Sequence, residues 1–372
     1  MKIIIVGTAY PYRGGLAAFN ERLAREFVRQ GNEVEIYTFT LQYPSFLFPG
    51  KTQLSDDEAP GDLKINRRIN SVNPLNWVSV GREIKAKNPD KIIFCYWMAF
   101  MAPCFGTIAR FAKTEKTKII SLVHNMIPHE PTILDKLFPR YFVKAMDGFV
   151  AMTASVVDDI NKFDNNNKPK LVSPHPIYDH YGAITPRSEA LDALDLDPAF
   201  RYVLFFGFIR KYKGLDLLME AFADVRLRQF PVKLLVAGEF YEPKEPCFEM
   251  IRKYALEDLV VLHTDFIPEK EVAFYFNAAD LVAQPYRSAT QSGVSQIAYH
   301  FEKPMLVTNV GGLADIVPHG KVGYVVEPEV SKIADALVDF FENNRSTKFI
   351  ENLKEEKKKY DWKLMVETVN KI

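Results

Sequence analysis

Apolar runs of four to seven residues recur along the chain, and the stretches between them carry apolar side chains at helical spacing. That rhythm predicts β-α-β units around a parallel sheet, because a strand covered by helices on both faces has no polar face to alternate with. In the first half the predicted strands are 3–6, 34–37, 92–95, 119–123 and 148–151, and a helix over 17–29 places Phe19, Leu23 and Phe27 on one face. Residues 43 to 63, rich in Pro, Ser, Gly and Asp, predict a surface loop. The rhythm breaks over 161–200, where Asn165-Asn166-Asn167, four prolines from Pro169 to Pro186 and Asp197-Pro198 crowd together, so a linker is expected there. It restarts with strands 202–206, 234–237, 260–263, 281–284 and 305–308 and helices over 215–226 and 330–343. Two open α/β domains follow, 1–172 and 173–357, with a terminal segment 358–372.

A length of 372 residues suits two domains. With 48% hydrophobic and 25% charged residues, the composition excludes a disordered chain, a collagen-like repeat and a disulfide-stapled miniprotein. Forty-seven basic residues balance forty-seven acidic ones, so no global field holds the chain on nucleic acid, and association with a membrane surface is left to local patches. Cys95, Cys104 and Cys247 are odd in number and lack C-x-x-C spacing. The N-terminus has no long apolar region before a small-residue cleavage site and reads as a strand; a cytoplasmic location fits, at the inner face of the membrane if the chain binds one. Residues 92–109 carry no charge and reach the length of a membrane span; Pro103 and Gly106 interrupt them, so a core strand and a buried helix are expected. Tyr96, Trp97, Met98 and Phe100 read as core, with a face towards a lipid-linked acceptor as the alternative. The charge run 354–359 reads as a solvated helix face.

Ligands of an open parallel sheet bind beyond the carboxyl ends of its strands, so the residues that follow strands carry the functional argument. After the first strand, Arg13-Gly14-Gly15 opens a helix, where backbone amides and positive potential favour an anionic ligand or acceptor, unless the glycines only make a tight turn. The dinucleotide pattern G-x-G-x-x-G is absent there, which argues against an oxidoreductase. After the fifth strand stands His124, able to bond a sugar hydroxyl and to lend charge near a reacting carbon, or else simply a core histidine. Its spacing to His129 and Glu130 suits no metal site, and none is expected. The second domain opens with a strand, Gly207 and three cations, Arg210, Lys211 and Lys213, ahead of a helix, an arrangement that aims them at phosphate if they are not merely solvated. Farther on, Thr290-Gln291-Ser292-Gly293-Val294 precedes a helix and offers hydroxyls and amides to an anion. Val310-Gly311-Gly312-Leu313 follows the next strand.

These motifs together resemble the retaining GT-B-fold glycosyltransferases of the group 1 family, glycosyltransferase family four, over nearly the whole chain. The resemblance implies two Rossmann-like domains facing an interdomain cleft, a nucleotide-sugar on the C-terminal domain, an acceptor on the N-terminal one, and neither metal nor cofactor. It implies that the helix after Tyr360-Asp361-Trp362 packs back on the first domain. It assigns Gly15 to the donor, Gly14 and Arg13 to the acceptor side, and His124 to the donor sugar. It assigns Lys213, from a Lys-Gly pair, to donor phosphate, Phe266 and Ile267 to the base, and Gly293 and Val294, with Thr290, Gln291 and Ser292 beside them, to the diphosphate. The triplet Asp195-Leu196-Asp197 looks like the D-x-D metal motif of the other glycosyltransferase fold, but before Pro198 it reads as turn and cap chemistry.

Two departures from the family pattern stand out. Its phosphate-binding arginine falls on Phe208, with Arg210 two places later, and its paired glutamates fall on Ala289 and Ile297, with Gln291 and Gln296 nearby. The function implied is transfer of a hexose-like unit from a nucleotide-diphosphate sugar to a glycan or lipid-linked acceptor in polysaccharide or glycoconjugate synthesis. His124, Arg210 and Lys213 would carry the chemistry, and a nucleotide-sugar-binding subunit without turnover is the alternative.

Overall fold

Runs of Ile, Val, Leu and Phe bounded by helices at both faces give two all-parallel sheets, as the burial of every central strand requires. The structure, a computed structural model, describes residues 1–44, 53–55, 58–127, 134–289 and 292–372. The chain divides into two units, Met1–Pro176 with Tyr360–Ile372, and Ile177–Lys359.

In the first unit the elements run β1 (Lys2–Val6), α1 (Gly15–Arg29), β2 (Glu33–Leu41), β3 (Lys64–Asn70), α2 (Pro74–Ala86), β4 (Lys91–Tyr96), α3 (Ala102–Ala112), β5 (Lys118–Val123), α4 (Leu134–Ala145), β6 (Gly148–Ala151), α5 (Ala154–Asn161) and β7 (Lys170–Val172). The strand order is β3-β2-β1-β4-β5-β6-β7. Period-two alternation splits the strands between two cores: Ile4, Val6, Phe94 and Tyr96 face α2 to α5, whereas Ile3, Ile5, Ile93 and Cys95 face α1. The uncharged segment 92–109 resolves into β4, buried along its whole length, a single 3-10 turn and α3. Among the described residues no helix is long and apolar enough to cross a membrane. The apolar rhythm does not mark β3, because it is an edge strand with a polar sequence and only Ile69 fully buried. Its register is held by the buried Glu35 of β2, which accepts from Lys64 and Lys87 at 2.8 Å and from Asn66 at 3.0 Å.

The second unit runs α6 (Arg187–Ala193), β8 (Arg201–Phe206), α7 (Leu215–Phe222), β9 (Val232–Ala237), α8 (Glu245–Lys253), β10 (Val260–His263), α9 (Val272–Ala278), β11 (Leu281–Gln284), α10 (Gly293–His300), β12 (Met305–Thr308), α11 (Leu313–Ile316), β13 (Gly323–Val326), α12 (Val330–Glu342) and α13 (Ser346–Glu356). Its strand order is β10-β9-β8-β11-β12-β13. The helix expected over 215–226 stops at Phe222, because Asp224 accepts from the Arg226 amide at 2.9 Å and starts a 3-10 turn. The stretch 161–200 is not bare linker: it holds β7 and α6. Asp197 makes a turn by accepting from the Ala199 amide at 2.9 Å. Each sheet has one point where strand order reverses, between β1 and β4 and between β8 and β11, the place at which open parallel sheets generally bind their ligands.

After α13 the chain returns to the first unit as α14 (Trp362–Asn370), capped by Asp361, which accepts from the Lys363 amide at 2.7 Å. Trp362 lies 5.0 Å from Phe19 of α1, and Lys91 donates to the Val369 carbonyl at 3.0 Å. Truncating this buried indole should therefore unfold the first unit and not merely fray a terminus. Trp362→Ala is expected to lower the stability of that unit by about 3–5 kcal/mol, read from denaturant unfolding, while Leu364→Ala, at an exposed position of the same helix, leaves it nearly unchanged.

Candidate active site

In the second unit the loops after β8 and β11, on either side of the strand reversal, are locked together by backbone contacts. Gly207 ends β8 with φ +93°, and Gly214 closes the loop with φ +68°. A Cβ on Gly214 would lie 2.0 Å from the Pro285 carbonyl oxygen, so only glycine permits this approach. The Arg287 amide donates to the Tyr212 carbonyl at 2.7 Å, and its guanidinium makes a bidentate pair with Asp216, both contacts at 2.7 Å. That pair holds the Asp216 carboxyl below its ordinary range against the opposing effect of burial, and it neutralises one cation at the loop edge.

Lys213 is the opposite case. It is only 9% exposed, its Nζ lies 2.9 Å from where a Cβ on Gly207 would be, and it sits 5.6 Å from the centroid of the Tyr286 ring. Among the described residues neither Lys213 nor Arg210 has a carboxylate or other side-chain acceptor. Burial pushes the Lys213 ammonium down to about 8, and the charge of Arg210 pushes the same way. The structure thus brings Arg210 and Lys213 into one electrostatic site. Phe208 packs on Tyr241 with ring centroids 4.4 Å apart and planes tilted by 55°, and the Arg210 guanidinium covers the same tyrosine at 4.7 Å.

The loop after β11 ends at α10, whose N-cap is Ser292; its hydroxyl accepts from the Val294 amide at 3.3 Å and lies 3.3 Å from the Tyr286 hydroxyl. The Tyr178 ring approaches within 3.0 Å of where a Cβ on Gly293 would be, so this glycine keeps the helix start open to close neighbours. Thr290 and Gln291 lie outside the described residues. Ile297 faces the interior at 5% exposure, and Gln296 is buried with neither its Oε1 nor its Nε2 partnered. Beside it, Gln284 and Ser295 satisfy one another at 3.0 and 3.1 Å. Phe266 is exposed and Ile267 partly buried on the loop after β10, two strands away from β8.

In the first unit Gly14, at φ +105°, is followed by α1 starting at Gly15. Gly14 has open space where a Cβ would be, so its conformation and not crowding calls for glycine. Arg13 is exposed and its amide donates to the Gln53 carbonyl at 3.1 Å. Phe19 of α1 packs edge-on against His124, with centroids 4.8 Å apart, and against His175 at 5.1 Å. Burial drives the His124 imidazole down to about 3, with His175 adding to the shift. The expected charge contribution of His124 is thereby corrected: the ring is neutral, and its Nε2, buried without a partner, is left for hydrogen bonding. The Thr8 hydroxyl and Asn20 Oδ1 are likewise buried and unpartnered, while Asn20 Nδ2 donates to the Thr8 carbonyl at 2.8 Å. His175, Asn20, Tyr178 and Tyr241 were not foreseen: Asn20 lies within α1, and the others, though they follow β7 and β9, stand in no recognisable spacing.

Comparison with known proteins agrees with this architecture. Residues 200–343 match the family Glycosyl transferases group 1, and residues 13–177 match Glycosyltransferase Family 4. An uncharacterised glycosyltransferase of Methanocaldococcus jannaschii is 24% identical over 100% of this chain and 97% of its own length. A D-inositol 3-phosphate glycosyltransferase of Jonesia denitrificans is 25% identical over 84% of this chain and 79% of its own. Among solved structures, HepE of Anabaena in complex with UDP and glucose superposes with a TM-score of 0.70 at 15% identity, covering 100% of both chains, a likeness of fold.

The unpaired ammonium gives a pH signature. An anion beside Lys213 raises its pKa again, so pyrophosphate should bind well below pH 8 and weaken by about tenfold per pH unit as pH climbs past the free-state value. Isothermal titration across that range checks it, and in Lys213→Met the slope should vanish.

Proposed function

The chain belongs to the group 1 glycosyltransferases of family four, and from that premise we propose that it is a retaining, metal-independent hexosyltransferase. Its donor is a nucleotide-diphosphate sugar, and its acceptor a hydroxyl of a glycan or lipid-linked acceptor. The observation that carries this reading is the buried Lys213 ammonium, without a counter-ion among the described residues, beside Arg210 and close to the loop that leads into α10. Cleaving the bond between sugar C1 and the diphosphate oxygen leaves extra negative charge on the phosphate oxygens. Arg210 and Lys213, with the amides of Gly293 and Val294, would bind that charge more tightly in the transition state than in the ground state. The acceptor hydroxyl bonds to C1 on the face the leaving group departs from, and its proton passes to a phosphate oxygen. His124 Nε2, neutral and unpartnered, suits a sugar hydroxyl, and Arg13 and Gly14 suit the acceptor side. Phe266 and Ile267 would meet the base, and Gly15, Thr290, Gln291 and Ser292 would complete the donor contacts. No cofactor enters this scheme. Three cysteines, all buried thiols, suit a reducing cytoplasm.

The HepE complex makes UDP-glucose the first donor to test. Lys213→Ala is expected to lower the transfer rate by about 10²-fold, the usual cost of losing one preorganised group at a developing oxyanion; an undiminished rate would overturn the role. A binding subunit without turnover is the second reading, since Ala289 and Ile297 are apolar where the resemblance implies the paired glutamates. Calorimetry with UDP-glucose and GDP-mannose, paired with a product assay, separates the two, since binding without product or hydrolysis selects the subunit.

A further inference from the structure

We propose that the outer face of α2, α3 and α4 is a docking surface for an anionic lipid bilayer. In the first unit α3 lies between α2 and α4, and side chains stitch their outer edges together. The Arg82 guanidinium sits 5.7 Å from the Phe111 ring, and that of Arg110 sits 3.8 Å from the Tyr141 ring while donating to the Tyr141 carbonyl at 2.7 Å. Gly81 and Gly106 permit the approach: a Cβ on Gly81 would lie 2.6 Å from Phe111 Cβ, and one on Gly106 would lie 2.8 Å from the Tyr141 ring.

The stripes turned outward have an unbalanced chemistry. Arg82 and Lys85 on α2, Arg110 on α3, and Arg140 and Lys144 on α4 are all exposed. These helices carry two carboxylates, Glu83 on α2 and Asp135 on α4, and Glu83 accepts from the Tyr37 hydroxyl at 2.9 Å and pairs with Arg68. None of the five cations has an ion pair among the described residues. In a chain whose total charge is zero, this is a local excess and not a share of a general field. Interleaved with these cations stand Leu75 at 82% exposure, Leu137 at 58%, Tyr141 at 40% and Phe111 at 39%.

Cations alone would suit any polyanion. Aliphatic tips at that exposure, spread over three helices among arginines and lysines, suit a surface with phosphates at one depth and hydrocarbon just beneath. The long side chains can reach lipid phosphate while Leu75 and Leu137 enter the headgroup boundary. This inference stands apart from the proposed transfer reaction, because no residue in it belongs to the candidate active site.

The full-length protein should co-sediment with vesicles of phosphatidylcholine mixed with phosphatidylglycerol, much less with phosphatidylcholine alone, and release as salt is raised. The triple variant Arg82→Ala, Arg140→Ala, Lys144→Ala should bind the anionic vesicles roughly a hundredfold more weakly, and Leu75→Ser with Leu137→Ser should weaken binding at unchanged charge. Both variants should keep the thermal midpoint of the parent. Absence of vesicle binding, or equal binding to neutral and anionic vesicles, would overturn the proposal; so would duplex DNA competing fully for the surface, since that assigns the cations to nucleic acid.

Discussion

A lysine ammonium removed from water, with no carboxylate among the described residues to pair it, is the constraint on which the carboxyl edge of the second unit depends. Such a group opposes folding, as the fall of the Lys213 pKa to about 8 records. It stays in place because its surroundings leave it no exit. Gly207 lacks the Cβ that would occupy its position, Gly214 seals the loop on the Pro285 carbonyl, and Arg287 holds that loop from the other side. Asp216, three residues along the chain, is paired with Arg287. Neutralising one cation and stranding another concentrates positive potential at a point where backbone and not side-chain entropy fixes the geometry. An anion arriving there meets groups already oriented, so little of its interaction energy goes into ordering them.

The corresponding edge of the first unit follows a different rule. Its buried polar atoms are neutral: the imidazole of His124 charges only at a pH far below neutrality, and the Thr8 and Asn20 oxygens offer lone pairs. Phe19 contributes to this by packing on both His124 and His175, so that one aromatic ring of α1 desolvates the two imidazoles together and also meets Trp362 of α14. Neutral acceptors and donors in a dry site discriminate hydroxyl groups by geometry, since an unmatched partner leaves them unsatisfied. One edge thus presents charge and the other neutral hydrogen-bonding groups, the division that the proposed transfer of a sugar from a diphosphate to an alcohol would use.

How much of this was legible in the sequence follows from which forces are local. Central strands show themselves because burial on both faces forces unbroken apolar runs, and β1, β4, β8 and β12 were found to within a residue or two. The edge strand β3 escapes the same test, since half of it faces water and its register rests on ion pairs to Glu35. Lys213 could be picked out because a Lys-Gly pair between a strand and a helix is a short-range pattern. Its burial without a carboxylate among the described residues could not, because burial and the pairing of Asp216 with Arg287, more than seventy residues away, are long-range features. Tyr241 is a similar case: the residue that carries the Arg210 guanidinium stands on the loop after the neighbouring strand, so only the pairing of β8 with β9 brings them together.

The start of α10 shows a further preference for neutral over charged groups. Ile297, where the resemblance places a glutamate, is almost wholly enclosed, next to a glutamine whose amide has no partner, so a carboxylate there would enter an apolar interior with one neutral polar group beside it. The orphaned Gln296 amide is suited to bond a hydroxyl without adding charge, and in the proposed transfer the chemistry would then rest on the departing phosphate more than on the sugar cation.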